Sequence, residues 1–276
     1  MPSYPINVNG DSNFIHWKDY ALKTINYNQY RAIKSFNSRI RFLVFHYTAG
    51  SFSSSLTSLT GPSASSHYLI PDITDSSYQK AGHREQEVFS LVDEDQRAWH
   101  AGVSQWGNRS NLNDTSIGVE IVNLATFKDG VFNFPPYHPE QIRAVGELAV
   151  NILARYPDIS PTQVLGHSDI AIGRKSDPGP MFPWHALYLK GIGAWYDDIT
   201  RDELLQQYET SGIPPRTELL KLFKKYGYDT SKATDEAGYR NLFRAFQLHF
   251  RQENYEGEMD AQTAANLAAL VVKYFP

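Results

Sequence analysis

His46 closes the apolar run "FLVFHYT", and His167 and Asp177 lie in one irregular stretch, "GHSDIAIGRKSDPGPMFPW". Two imidazoles at strand ends and a carboxylate on the following loop make a His/His/Asp set with a fourth position left open. Zinc hydrolases hold their metal this way, and such a site lowers the pKa of a bound water to roughly 7. The same residues admit a plainer account: core histidines satisfied by hydrogen bonds, and an Asp that opens the turn before Pro178.

Two further residues bear on the choice. Glu120 stands in "TSIGVEIVN", a strand otherwise apolar around it. A carboxylate buried there must be paired or functional, because an unpaired buried charge is costly. It could act as a general base, taking a proton from water and passing it to a leaving amine, or it could sit in a structural salt bridge. Lys175, two residues before Asp177, could stabilise the oxyanion of a tetrahedral intermediate or remain a solvated loop cation.

The elements that must position these groups are readable along the chain. "RIRFLVFHYT" is a continuous apolar strand, as expected for one buried on both faces. "SSHYLI", "EVFSLV" and "SIGVEIVN" read as further strands between loops rich in Ser, Gly, Asp and Asn. In "HPEQIRAVGELAVNILARYP" the residues Ile142, Val145, Leu148, Ala149, Ile152 and Leu153 recur at helical spacing between Pro139 and Pro157. "TQVLGHSDI" reads as a strand running into the loop, and "PWHALYLKG" as a short helix. Alternation of strands and helices to about residue 200 indicates an α/β domain. "TSGIPPRT" reads as a linker. Beyond it "ELLKLFKKYGY", "AGYRNLFRAFQLHF" and "DAQTAANLAALVVKYF" are helix-like, with Phe243, Phe246, Phe250 and Tyr239 as core of a small bundle. The expected division is therefore 1–210 and 211–276, with few contacts crossing at Pro214 and Pro215.

Composition narrows the function. A chain of 276 residues accommodates a large domain and a small one. With 41% hydrophobic and 20% charged residues it is an ordinary globular sequence. A net charge of −4 argues against a nucleic-acid partner. No run is long enough for a transmembrane helix. The opening "MPSYPINVNGDSNFIHW" does not read as a signal peptide as written. The chain has no Cys, which excludes disulfides, thiolate ligands and a lipid-bearing Cys in this sequence.

"FLVFHYTAG", "SSHYLI", "AWHAGVSQW", "LNDTSIGVEIVN" and "GHSDIAIGRKSDPGPMFPW" occur in the order found in the zinc-dependent N-acetylmuramoyl-L-alanine amidases. That family shares its fold with the peptidoglycan recognition proteins. The resemblance runs from roughly residue 35 to 195. It is greatest to the AmiD amidases, whose C-terminal peptidoglycan-binding domain is similar to "AFQLHF" and "YEGEMDAQTAANLAAL" here.

The resemblance implies a mixed central β-sheet flanked by helices, followed by a small all-α domain. It implies one zinc ion (Zn2+) held by His46, His167 and Asp177, with Glu120 as the catalytic glutamate and Lys175 as the lysine before the third ligand. It implies hydrolysis of the amide between N-acetylmuramic acid and L-alanine in peptidoglycan or muropeptides. His67 and His100 fall on family positions near the cleft, and Trp99 and Asn113 are further candidate substrate contacts. Trp99 and His100 could wall the sugar or stem peptide, or Trp99 could be core. His67 could equally be a buried structural histidine, and Asn113 and Asn123 could hydrogen-bond substrate or shape turns. His16, His83, His138, His185 and His249 read as structural or surface residues. The expected protein is a monomer of the periplasm or cell envelope, with any signal or lipid anchor outside this chain. The rivals are a non-catalytic peptidoglycan receptor on the same fold and a cytoplasmic recycling amidase.

Overall fold

The computed structural model describes Tyr30, Ser35 and residues 37–276; His16 lies outside the described residues. Ser38–Pro276 form one compact unit. In chain order its elements are β1 (Phe42–Tyr47), α1 (Phe52–Leu59), β2 (Tyr68–Ile70), α2 (Ser76–Lys80), β3 (Phe89–Ser90), β4 (Gln105–Trp106), β5 (Arg109–Ser110) and β6 (Ser116–Ile121). Then follow β7 (Thr126–Lys128), β8 (Val131–Asn133), α3 (Pro139–Arg155), β9 (Val164–Gly166), α4 (His167–Ile170) and α5 (Trp184–Tyr188). The last helices are α6 (Asp198–Ser211), α7 (Arg216–Tyr226), α8 (Glu236–Phe250) and α9 (Ala261–Tyr274).

The central sheet has the order β3-β2-β6-β1-β9. β1 pairs in parallel with β6 and β9, β2 pairs in parallel with β6, and β3 is antiparallel to β2. This is the mixed sheet that the resemblance implies. The run Phe42–Phe45 is unbroken because β1 has a strand on each side and packed layers on both faces. On α3, Val145, Ala149 and Ile152 are buried, and Ile142, Leu148 and Leu153 pack at the margin of the same core. His138 caps this helix, accepting from Glu140 N through Nδ1. Gln141, inside its first turn, is buried and donates to Val122 O, which ties α3 to the end of β6.

The chain departs from the expected pattern in two places. The strand in "TQVLGHSDI" stops at Gly166, and His167 begins a helical turn. Gly166 N donates to Asp169 Oδ2 at 2.8 Å, and Ser168 N donates to Asp177 O at 2.9 Å, so the backbone turns before the strand can continue. The second departure is α6, which gives no periodic signal because none of its residues is fully buried. Asp197 caps it through Thr200 N at 2.9 Å, and the helix lies along α9.

The C-terminal segment is helical as expected, but the boundary at Pro214 and Pro215 is not sparse in contacts. Gln252 Nε2 donates to Pro180 O at 2.6 Å and Phe182 O at 2.5 Å. Lys273 Nζ donates to Trp195 O at 2.9 Å, and Gly107 N donates to Gly227 O at 2.6 Å. One apolar core runs from Val44 and Phe45 of the sheet through Trp184 and Trp195 to Phe223, Phe246 and Leu270. Three short helices bury too little apolar surface alone, and here they complete that deficit against the α/β layers.

Candidate active site

β1 and β6 set His46 opposite Glu120 in register, near the carboxyl ends of both parallel strands. β9, on the other side of β1, delivers His167 at the first position of α4. The chain then loops out and returns with Asp177, whose peptide to Pro178 is cis. His46 Nδ1 lies 3.0 Å from His167 Nδ1 and 2.9 Å from Asp177 Oδ2, and His167 Nδ1 lies 3.0 Å from that same oxygen. All three side chains are buried, and together they could hold a metal ion.

The bonds behind these rings fix which nitrogen is free. His167 Nε2 faces Ala101 O at 3.0 Å; a carbonyl only accepts, so Nε2 carries a hydrogen, and in the neutral ring Nδ1 keeps its lone pair. A longer chain does the same for His46. Ser116 Oγ donates its hydrogen to Leu112 O at 2.6 Å and so accepts from His100 Nε2 at 3.1 Å. His100 Nδ1 then accepts from His46 Nε2 at 2.9 Å, which leaves His46 Nδ1 as a lone pair. Burial, and next the adjacent His167, hold His46 down to about 4, so its ring is neutral. Burial resists ionisation of Asp177, but the facing His167 and His46 outweigh it and keep the carboxyl well below the usual carboxylate range. Two lone pairs and an anionic oxygen thus point at one another. Three acceptors at this spacing repel unless a cation lies among them, so the donor set fits a small divalent metal.

Glu120 stands beside this trio. Its Oε2 is buried with no hydrogen-bond partner. Burial, then the charge of Asp177, push its carboxyl up to about 8, while Lys175 pulls the other way. Among the described residues no salt bridge joins Glu120 to a cation, so the salt-bridge reading of the sequence gives way. Lys175 is exposed; its N–H donates to Ala171 O at 3.1 Å, and its ammonium makes no hydrogen bond or ion pair among the described residues. Both groups line a cleft of about 210 Å³ that also includes Tyr47, Trp99, His100 and two of the candidate ligands, His167 and Asp177. Trp99 is 54% exposed, so it is wall and not core.

Two expected substrate contacts fall elsewhere. His67 is fully buried and does not line the cleft: its Nδ1 accepts from Gly118 N at 3.0 Å and its Nε2 donates to Gln96 O at 3.3 Å. Asn113 is spent on the backbone, where its Oδ1 accepts from His100 N at 3.1 Å and Ala101 N at 2.7 Å. Asn123 Nδ2 donates to Pro135 O at 3.0 Å, a turn role. Conversely, no motif points to Ser116 or Arg174. A strand-opening Ser is commonplace, and Arg174 Nη2 donates to the carbonyls of Ala101 and Val103 beside His167 Nε2, 3.4 Å away.

A family model described as N-acetylmuramoyl-L-alanine amidase matches residues 36–180. The chain is 41% identical over 271 residues to the N-acetylmuramoyl-L-alanine amidase AmiD of Escherichia coli, covering 96% of this chain and 92% of that protein. It belongs to this amidase family. Among solved structures, AmpDh3 from Pseudomonas aeruginosa in complex with anhydromuramic pentapeptide is similar at a TM-score of 0.90 and 57% identity, over 92% of this chain and 99% of that one. E. coli AmiD in complex with the substrate anhydro-N-acetylmuramic acid-L-Ala-D-gamma-Glu-L-Lys is similar at 0.77 and 42%, over 88% and 93%. The segment matched by the amidase model contains His46, Glu120, His167, Lys175 and Asp177. The C-terminal helices lie beyond that segment but within the near full-length likeness to AmiD and AmpDh3.

Proposed function

We propose that this amidase hydrolyses the amide between N-acetylmuramic acid and L-alanine in peptidoglycan fragments, with one zinc ion held by His46, His167 and Asp177. The observation that carries the reading is a buried trio of converging acceptors beside an unpaired buried carboxylate. A tetrahedral zinc with bonds of ~2.0–2.1 Å places its ligands roughly 3.3 Å apart, a few tenths of an ångström wider than these atoms stand. When bound, zinc supplies Lewis acidity that polarises the scissile carbonyl and lowers the pKa of an attacking water.

The chain's own residues supply the rest. Glu120, as a carboxylate, takes the proton of the attacking water and hands it to the leaving amine of L-alanine. The Lys175 ammonium offsets negative charge on the carbonyl oxygen as the carbon becomes tetrahedral. Trp99 and His100 form the cleft wall against which the sugar or peptide rests. The ligands seen with AmpDh3 and AmiD, both anhydromuropeptides, support muropeptides as the substrate class. We further assign residues 211–276 to cell-wall binding and the protein, as a monomer, to the periplasm or cell envelope. Among the described residues no helix is long and apolar enough to cross a membrane. A receptor without chemistry would need the cleft but neither the acceptor trio nor the unpaired Glu120.

Metal analysis and product mass spectrometry test this together. The purified chain should carry one zinc, lost on chelation and largely absent from His46→Ala and His167→Ala. An anhydromuropeptide should yield a free stem peptide and a peptide-free sugar. Full zinc occupancy in both Ala variants, or cleavage at another bond, would reject the assignment.

A further inference from the structure

Asp169 lies two residues after His167 and has no solvent exposure. Its Oδ2 accepts from Gly166 N and from His249 Nδ1, each at 2.8 Å, and its Oδ1 accepts from Tyr228 Oη at 2.6 Å. One carboxylate therefore ties the turn that carries a metal ligand to two buried residues of the C-terminal segment. His249, which the sequence left among the structural or surface histidines, stacks on Trp184 with ring centroids 3.7 Å apart. Its Nε2 is buried without a partner. An unpaired buried nitrogen is unfavourable, so an imidazole here is justified by its bond to Asp169, which an apolar ring could not make.

The same helix backs the rest of the loop. Gly173 adopts φ +72°, and a Cβ there would stand 2.8 Å from the Asn241 side chain on α8. That close approach fixes the path of the chain two residues before Lys175. Past the end of α8, Gln252 holds the carbonyls of Pro180 and Phe182, just beyond Asp177. The segment from His167 to Phe182, which carries two of the three candidate ligands and Lys175, thus lies against α8 at its start and middle and against the residue just past that helix at its end.

We propose that the C-terminal helices are part of the metal site, with Tyr228 and His249 as positioning residues that orient His167 through Asp169. This rests on the reading of His167 as a metal ligand. Residues that hold a ligand in place typically change metal affinity roughly ten- to hundredfold when removed. The helices would then act on the chemistry as well as on any wall polymer they bind.

The test compares the full-length chain with Tyr228→Phe, His249→Gln and the double variant. Zinc affinity is measured by chelator competition and site geometry by the visible spectrum of the cobalt-substituted protein. Leu270→Ala, buried in α9 and making no hydrogen bond to Asp169, serves as a control for general loss of stability. The single variants are expected to stay folded, lose roughly tenfold or more in zinc affinity, and show shifted cobalt bands. Leu270→Ala should melt at lower temperature with zinc affinity and cobalt spectrum unchanged. If the double variant does not fold, the two single variants decide. Unchanged affinity and spectrum in folded Tyr228→Phe and His249→Gln would overturn the proposal, as would an equal loss in Leu270→Ala. A parent chain that takes up no zinc would overturn the functional reading as well. A parent that binds zinc, with variants that bind it equally, would overturn this proposal alone.

Discussion

His46 and Glu120 are register partners in the parallel β1–β6 ladder. A candidate ligand and the candidate base are thus held by one set of backbone hydrogen bonds, about 4.8 Å apart in the ladder direction. Their side chains leave the same face of the sheet, and neither depends on a loop for its placement.

Because the ladder positions both groups, replacing one should not displace the other. Glu120→Gln is expected to retain its zinc and its melting behaviour with zinc bound, while turnover falls roughly a hundredfold or more. Steady-state rates beside metal content check this. Near-normal turnover by a zinc-loaded Glu120→Gln protein would move the proton transfer to another group.

The raised carboxyl of Glu120 makes a separate prediction for the metal-free protein. Its value rises from 4.5 unfolded to about 8 folded. The folded state therefore binds this proton more tightly, and the associated stability is full below pH 4.5 and lost as pH climbs through 8. Metal-free Glu120→Gln, which mimics the protonated form, should melt higher than the metal-free parent at pH 8. The gap should be on the order of a few kcal/mol and should close toward pH 5. Melting curves across that range, both proteins stripped of metal, give the comparison; a gap that is constant with pH would refute the titration.

Gly118 lies on β6 directly against the His100 ring, where a Cβ would collide with Cγ, Cδ2 and Nδ1. Gly118→Ala should force that ring off Ser116 and His46. We expect a loss of about 1–3 kcal/mol from overpacking and weaker zinc binding, because the His46 tautomer loses its support. Denaturant melts and chelator competition read the two effects, and a variant matching the parent in both would mean that the ring has room to move.

Removal of residues after Ile213 should not leave a working catalytic half. It would strip the partners of Asp169, Pro180, Phe182 and Trp195 and expose the Trp184 ring that stacks on His249. A lower melting temperature, with parallel losses on soluble muropeptides and insoluble sacculi, is the expected result. Full activity on soluble muropeptides with loss on sacculi alone would favour a tethered module instead.

The strands and the site residues were legible for a shared reason. β1 and β6 are central, so their apolar runs are long, and a His or Glu interrupting such a run is conspicuous. α3 was legible because its buried face is regular. What stayed hidden follows from physics of another kind. Ser116, Tyr228 and Asp169 act through single hydrogen bonds across 16, 59 and 80 residues of chain, and no local pattern encodes those. His67 and Asn113 looked like cleft residues because they are polar in conspicuous motifs, but backbone amides consume their acceptors. α6 has no buried face and left no periodicity. The proline pair did mark a turn between helices, but a turn says nothing about whether the helices beyond it pack back.

The strand order carries one more consequence, for the path of folding. His46 lies 121 residues from His167 and 131 from Asp177. These atoms meet only after β9 has added in parallel to β1, a pairing that closes a very long loop and is intrinsically slow. No short stretch of the chain can gather the three donors beforehand. The metal is therefore a latecomer on this route: it cannot seed collapse, and its stabilisation appears in how slowly the finished protein comes apart.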